Sequence, residues 1–271
     1  MQLAGVVAFA AAAFVAARSG GRASVLTTIA VLLVLAGGLV ATLQTAAPIA
    51  ARMGEPLVPL WLNYLLDTRS GQLAGLRMLV AGMIAGYLLA GLRWQTSNSS
   101  ARPRVLFVAT LMLVILLALD GHAQTAPGGS ATMVAQVLHV GCGLLWAGLV
   151  LGLVVQLRAN CGDRHKALRN AGMRAAIYAA IIAVSGPLLA WMHGVGPADL
   201  AASDYGRLVL LKSGLFLLAL ALAAGNRFHA LRPHVAAQQP VLAMRLLWVE
   251  AGVVGGIILA AAALAHTPPV H

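Results

Sequence analysis

Residues 134–148 read VAQVLHVGCGLLWAG, an apolar stretch in which His139 and Cys142 stand three residues apart. Together with its apolar flanks, which extend over residues 132–157, the stretch is long enough to cross a bilayer as one helix. Residues at this spacing share a helix face, and Trp146 lies on the same stripe. A polar ring at this depth needs a partner, so His139 is a candidate functional residue. Cys142 is either an accessory ligand or a packing residue.

The composition of the whole chain is that of an integral membrane protein. Of its 271 residues, 61% are hydrophobic and 9% are charged, and apolar runs recur along its length. The formal net charge of +11 does not point to nucleic acid, because the cations stand in short links between apolar runs. The two cysteines, Cys142 and Cys161, fall in a predicted span and in a basic link, which offers no disulfide framework.

The apolar runs predict an all-α membrane bundle of eight transmembrane helices, at residues 2–17, 24–47, 73–93, 104–121, 132–157, 171–193, 207–225 and 242–265. The first run is followed, not preceded, by cations, which is the reverse of a signal peptide, so we expect a retained helix. Cations concentrate in the first, third, fifth and seventh links, which predicts that these links are cytoplasmic and that both termini lie outside. LVPLWLNYLL, which begins at Leu57, is too short to span and is predicted to lie in the interface or to re-enter.

The two halves of the chain resemble each other. GQLAGLR, which ends at Arg77, is similar to GRLVLLK, which ends at Lys212, and His122 falls opposite His266. Each half would hold four spans, an even number, so the halves keep one orientation and form a parallel repeat about the membrane normal. We therefore predict two four-helix units in a single membrane domain, at residues 1–121 and 122–271.

With this topology, the outer ends of the spans gather histidine and methionine side chains. His139 lies about 10 Å below the outer end of its span. Imidazole binds copper, zinc and nickel, and a thioether adds preference for Cu(I). The candidate metal ligands are His139 as the deepest member, His122, His193, Met192 and His266, with Cys142 and Met133 as accessory ligands. The alternative is that each terminal histidine is only a polar residue at the headgroup level.

Charged residues in the spans form a second candidate set, because a charge in lipid usually faces the bundle interior or a wet cavity. Its members are Lys212, Glu250, Arg77 and Arg227. Lys212 and Arg77 have the alternative of snorkelling to the surface. Glu250 either pairs with Arg227 or Arg245 or serves as a proton or ion relay. The chain contains no Walker A, dinucleotide-binding, HExxH or GxSxG sequence, so we expect no enzyme.

Several short motifs, taken in order, resemble the CopD family of bacterial copper-resistance and copper-uptake membrane proteins. They are GHA at 121–123, HVGCGLLWAGL at 139–149, DYGRLVLLK at 204–212, GNRFHALRP at 225–233, Glu250, and a tail with Pro268 and Pro269. The family's HxxxxxxW pattern is met by His139 and Trp146, whereas Cys142 is not part of it. The resemblance implies a multi-pass protein of the bacterial inner membrane that receives copper, as Cu(I) or Cu(II), from the periplasm. It also implies a small periplasmic copper-binding partner of the CopC type.

Three functional hypotheses follow. The leading one is a copper-handling membrane protein that takes copper at an outer His/Met site and moves it across the membrane. The second is a b-type redox protein, which would need two histidines facing each other at matched depth to hold haem. The third is an assembly factor that delivers copper without transporting it. In each case we expect the protein to lie in the lipid bilayer and not to bind nucleic acid.

Overall fold

The computed structural model describes residues 6–7, 10–11, 20–94, 102–120, 129–158, 164–231 and 240–267. Across these ranges the chain forms helices and no strand. In chain order the helices are α1 (Gly20–Met53), α2 (Leu57–Asp67), α3 (Arg69–Trp94), α4 (Arg102–Ala118), α5 (Ser130–Arg158), α6 (Arg164–Met192), α7 (Asp199–Ala202), α8 (Asp204–Leu231) and α9 (Pro240–His266). The all-α prediction is confirmed for this part of the chain.

Within the described ranges, 5 helices are long and apolar enough to cross a membrane. These segments belong to α1, α5, α6, α8 and α9, and α4 adds a shorter apolar stretch, Arg104–Ala118. The chain is therefore a multi-pass membrane protein. The count of eight spans stays a prediction. Residues 2–17 fall largely outside the described ranges, α4 carries only the shorter stretch, and α3, which contains the predicted span 73–93, is not among the five.

The helix that contains residues 134–148 is the most buried of the five. In α5, 61% of the apolar stretch is buried, against 6% in α8. The helix packs against α4, α6 and α9. Gly148 lies so close to Ala10 that a side chain at this glycine would overlap the neighbouring segment. His139 is therefore carried into the interior, whereas α8 exposes leucines such as Leu217.

Two details of the first half concern the end of α1 and the short helix that follows it. The predicted span ends at residue 47, before a proline, but α1 continues through Pro48 to Met53. A proline removes one helical hydrogen bond, which neighbouring groups can compensate within a membrane bundle. The short α2 buries no residue and is attached to α1 by Trp61, whose Nε1 donates to Thr42 Oγ1 at 2.9 Å. Its placement in the membrane interface stays a prediction.

The helices α3 and α8 begin with the same capped joint. Each follows a short helix that ends at a hydroxyl residue with extended backbone, Thr68 or Ser203. The hydroxyl oxygen accepts the backbone N–H of the glycine three residues later, at 3.0 Å for Gly71 and 2.9 Å for Gly206. Such a contact satisfies an N–H group at the helix start. Each glycine also lies against a carbonyl oxygen of the preceding short helix, which a Cβ would overlap.

We expect Gly71→Ala and Gly206→Ala to destabilise the protein to a similar extent, by about 1–3 kcal/mol each, because the joint must open to admit the methyl group. The free energy of unfolding is measured by titrating dodecyl sulfate into mixed micelles. Gly214→Ala is the matched control, because nothing lies within 4 Å of a Cβ built at this glycine of α8. Equal stability of the Gly206 and Gly214 variants would contradict the packing argument.

Candidate metal site

The His139 imidazole lies at the junction of α5, α6 and α8 and uses both ring nitrogens. Its Nδ1 is 3.0 Å from Ser185 Oγ, and Lys212 Nζ is 3.2 Å from its Nε2. The Ser185 hydroxyl donates to the Ile181 carbonyl at 2.6 Å, so its oxygen accepts from Nδ1–H. The Lys212 amine donates in this contact, so His139 Nε2 is the acceptor. The network thus assigns the proton to Nδ1 and the lone pair to Nε2.

The sequence of α6 opposite His139 is Ser185-Gly186-Pro187, and each residue has a different effect. Ser185 supplies the hydrogen bond described above. A Cβ built on Gly186 would lie 3.2 Å from His139 Cε1, so the glycine leaves room for the ring. Pro187 stands inside the helix and cannot donate to the preceding turn, which interrupts the regular bonding. Such interruptions in membrane helices occur where the backbone is enclosed by protein or lines a cavity. Sequence reasoning missed Ser185, although a Ser-Gly-Pro sequence within an apolar span was a usable signal.

A second polar layer lies at the end of α6. Thr132 Oγ1 donates to Met192 Sδ at 3.5 Å, and the His193 Nδ1 contacts the Leu189 carbonyl at 2.7 Å. The carbonyl only accepts, so Nδ1 carries the proton and the His193 Nε2 carries the lone pair. We call this end of the bundle the His193 end, and the opposite end, where α5 finishes at Arg158, the Arg158 end.

The pairs Thr132–Met192 and His139–Ser185 show that α5 and α6 are antiparallel, since residue numbers rise in one helix as they fall in the other. Met192 lies two turns from the His139 layer, about 10 Å along the helix axis. The two residues therefore occupy successive layers, and the expectation that Met192 and His139 share one ion stays a prediction.

The remaining candidate ligands are distributed as follows. Over the described residues, no group of three or more His, Cys, Asp or Glu side chains could hold a metal ion. His122 and the side chain of His266 lie outside the described part, so a centre that includes them stays a prediction. Cys142 is a buried free thiol within the apolar core. Met133 is half-buried beside Thr132.

An aromatic pair lies on the Arg158 side of His139. The rings of Trp146 and Phe216 meet edge to face, with centroids 5.6 Å apart and an interplanar angle of 81°. Trp146 is buried, two turns beyond His139 on α5, and Phe216 is one turn beyond Lys212 on α8. Edge-to-face packing is a favoured aromatic geometry. The pair forms an apolar layer next to the His139 layer.

Glu250 is paired with an amide, not with an arginine. Asn226 Nδ2 of α8 donates to Glu250 Oε2 of α9 at 2.8 Å, and Glu250 is only 5% exposed. The described ion pairs do not include Arg227 or Arg245, which were the partners considered from sequence. Arg227 is exposed, with Nη1 beside Gly172. Asn226 lies in the GNRFHALRP motif, but it was not singled out because an amide near a helix end does not by itself indicate a partner. It lies about 20 Å along α8 from Lys212.

Arg77 and Lys212 lie about two turns into α3 and α8, and neither side chain extends to the surface. Arg77 is 2% exposed, and its Nη2 lies 2.7 Å from Asp120 Oδ2 while its Nη1 donates to the Leu116 carbonyl at 3.1 Å. Lys212 instead points its Nζ at His139. Arg77 therefore has a structural part, connecting α3 with the end of α4, and Asp120 is the partner that sequence reasoning missed.

The comparison with protein families gives one match. A family model described as CopD, copper resistance protein D, matches residues 172–264. This range contains Ser185, Lys212, Asn226 and Glu250, and it ends shortly before His266. Curated proteins and solved structures gave no match. This segment supplies two of the three helices around His139, and over it the chain is similar to the CopD family.

Proposed function

We propose that this protein takes up copper at the His193 end and moves it across the bacterial inner membrane. The family match supports a membrane protein of a copper system. The geometry adds a neutral imidazole inside a span with its lone pair on Nε2, the state in which histidine binds metals. That single observation carries the proposal, because the ring is oriented by a hydrogen bond from its other nitrogen, as metal-binding histidines commonly are.

The proposed route begins at the His193 end. Met192 and His193 would capture copper, since thioether and imidazole together favour Cu(I). His139 would receive the ion in the next layer, with His122 and His266 as further proposed ligands. Cys142 and Met133 stay accessory candidates.

The inner part of the route is proposed to run past the Trp146–Phe216 pair to Glu250. A carboxylate held by Asn226 in a buried position offers an oxygen ligand or a relay for a compensating charge. Asn226, which holds this carboxylate, lies about 20 Å from Lys212 along α8, so an ion would need at least two steps between the two sites. Glu250 and His139 would therefore not bind the same ion.

The proposal also includes the orientation of the protein in the membrane and the partner that supplies its copper. The exposed Arg158 and Arg227 stand toward one end, and Asp199 and Asp204 toward the other, which supports a cytoplasmic Arg158 end and a periplasmic His193 end. Both termini would then be periplasmic. A small periplasmic copper-binding protein of the CopC type would supply the ion at the His193 end.

We also propose that residues 1–121 and 122–271 are two parallel four-helix units. The support is the matched joint at Thr68 and Ser203, each followed by a close-packed glycine and, further along, by a cation in the membrane. The two cations have diverged in their contacts: Arg77 has an acidic partner and Lys212 has an imidazole.

The test is copper accumulation in proteoliposomes that contain the purified protein in one orientation. We expect copper added on the His193 side to appear inside, measured by metal analysis of the washed vesicles, with protein-free vesicles as the control. Copper binding without accumulation would favour a delivery factor. A Soret band with reducible alpha and beta bands in the purified protein would favour a haem protein instead and would overturn the copper proposal.

A further inference from the structure

Lys212 lies where a metal ion on His139 would have to lie. Its Nζ is 3.2 Å from Nε2, the nitrogen that carries the lone pair of the ring. A metal bound to an imidazole lies about 2 Å from the nitrogen, along the same lone pair. An ion placed between the two nitrogens would therefore be only about 1 Å from Nζ, well inside contact distance. The lysine amine and the metal exclude each other.

We infer that Lys212 is a displaceable hydrogen-bond donor that occupies the metal-binding nitrogen of His139 when no ion is bound, so that copper binds there only by exchanging with it. This inference rests on the proposed function and adds a residue that sets the affinity of the His139 site for copper. The exchange forms a copper–Nε2 bond and breaks one hydrogen bond, with no change in oxidation state.

The contacts of Lys212 are few enough for its amine to move away from His139. None of the ion pairs found within the described ranges includes Lys212, and its recorded partner is a neutral ring. Arg77, which follows the matched joint at the same place, has an ion pair and a carbonyl contact instead. A buried cation without a carboxylate is held less firmly than one in a hydrogen-bonded ion pair.

The position of Lys212 in α8 also allows the displaced amine to reach the polar end of the helix. It lies about two turns from Asp204, where the helix begins at the His193 end. A lysine stem is long and flexible, and such side chains commonly extend toward the polar end of a membrane helix.

The test is Cu(I) binding by the full-length protein in lipid nanodiscs, with the ion supplied from a chromophoric Cu(I) chelator. We expect Lys212→Leu to bind Cu(I) about tenfold more tightly than the parent, because the competing hydrogen-bonded cation is gone. Leucine offers no ligand of its own. Lys212→Arg keeps a cation and should stay close to the parent, and Lys212→Ala provides a second neutral variant if leucine packs poorly.

A second measurement separates this effect from a general structural change. In the copper-free protein, the ¹⁵N resonance of His139 Nε2 should shift in Lys212→Leu and much less in Lys212→Arg. If His139→Ala lowers affinity but both neutral Lys212 variants bind like the parent or more weakly, the exchange inference is overturned and the proposed site survives. If His139→Ala leaves affinity unchanged, both ideas fail.

Discussion

Copper affinity should fall by at least about tenfold, and up to about 100-fold, when His139 is replaced by Ala. The reason is that the Ser185 contact presents the Nε2 lone pair at the junction of three helices, and alanine removes the nitrogen altogether. The dissociation constant is measured with a competing chelator on protein in nanodiscs. An unchanged constant would remove His139 from the proposed route.

Two variants serve as controls for the His139 result. His165→Ala changes a histidine at the other end of α6, in a link predicted to be cytoplasmic, and should leave copper affinity close to that of the parent. Ser185→Ala keeps the imidazole but removes the group that fixes its orientation, so we expect a loss that is smaller than that of His139→Ala. A loss at His165 equal to that at His139 would indicate general damage to the protein.

Replacing Arg77 by Leu should lower the free energy of unfolding by about 3–5 kcal/mol. The change leaves Asp120 without its partner at the end of α4, where its Oδ2 now lies 2.7 Å from Arg77 Nη2. The arginine side chain is 3% exposed and the Asp120 side chain is 23% exposed, so water replaces the lost contacts only in part. Unfolding in mixed micelles of dodecyl sulfate and a mild detergent provides the measurement.

The exposed pair of Asp204 and Arg207 is the matched control for the buried one. Its side chains are 87% and 65% exposed and its atoms are 3.4 Å apart, so Asp204→Asn should cost no more than about 1 kcal/mol. The double variant Arg77→Leu with Asp120→Leu should recover much of the loss, because no unpaired charge remains. A double variant as unstable as Arg77→Leu alone would assign the effect to packing and not to charge.

The membrane class and the position of the main polar groups could be predicted from local patterns. Long apolar runs and short cationic links fix a membrane helix whatever surrounds it, because lipid requires each spanning segment to satisfy its own backbone. For the same reason His139 and Glu250 were recognisable as unusual. The family resemblance was also readable from short motifs, and the match over residues 172–264 confirms it.

The partners of those polar groups could not be predicted in the same way. His139 meets Ser185 and Lys212, and Glu250 meets Asn226, across helices far apart in sequence. Which face of one helix meets another depends on the packing of small and large side chains, such as Gly186 beside the His139 ring. A sequence pattern lists the groups that need partners but does not specify which of several polar residues at similar depth supplies one.

What the sequence by itself determined is therefore a multi-pass helical protein with a histidine placed inside a span, since hydropathy and helix periodicity act within a single segment. The tertiary structure decided that Met192 and His139 lie in successive layers, that Arg77 is neutralised by Asp120, and that Lys212 faces the His139 lone pair. The physical reason is range: hydrophobicity acts along one helix, whereas hydrogen bonds and ion pairs act over about 3 Å and exist only after helices have packed.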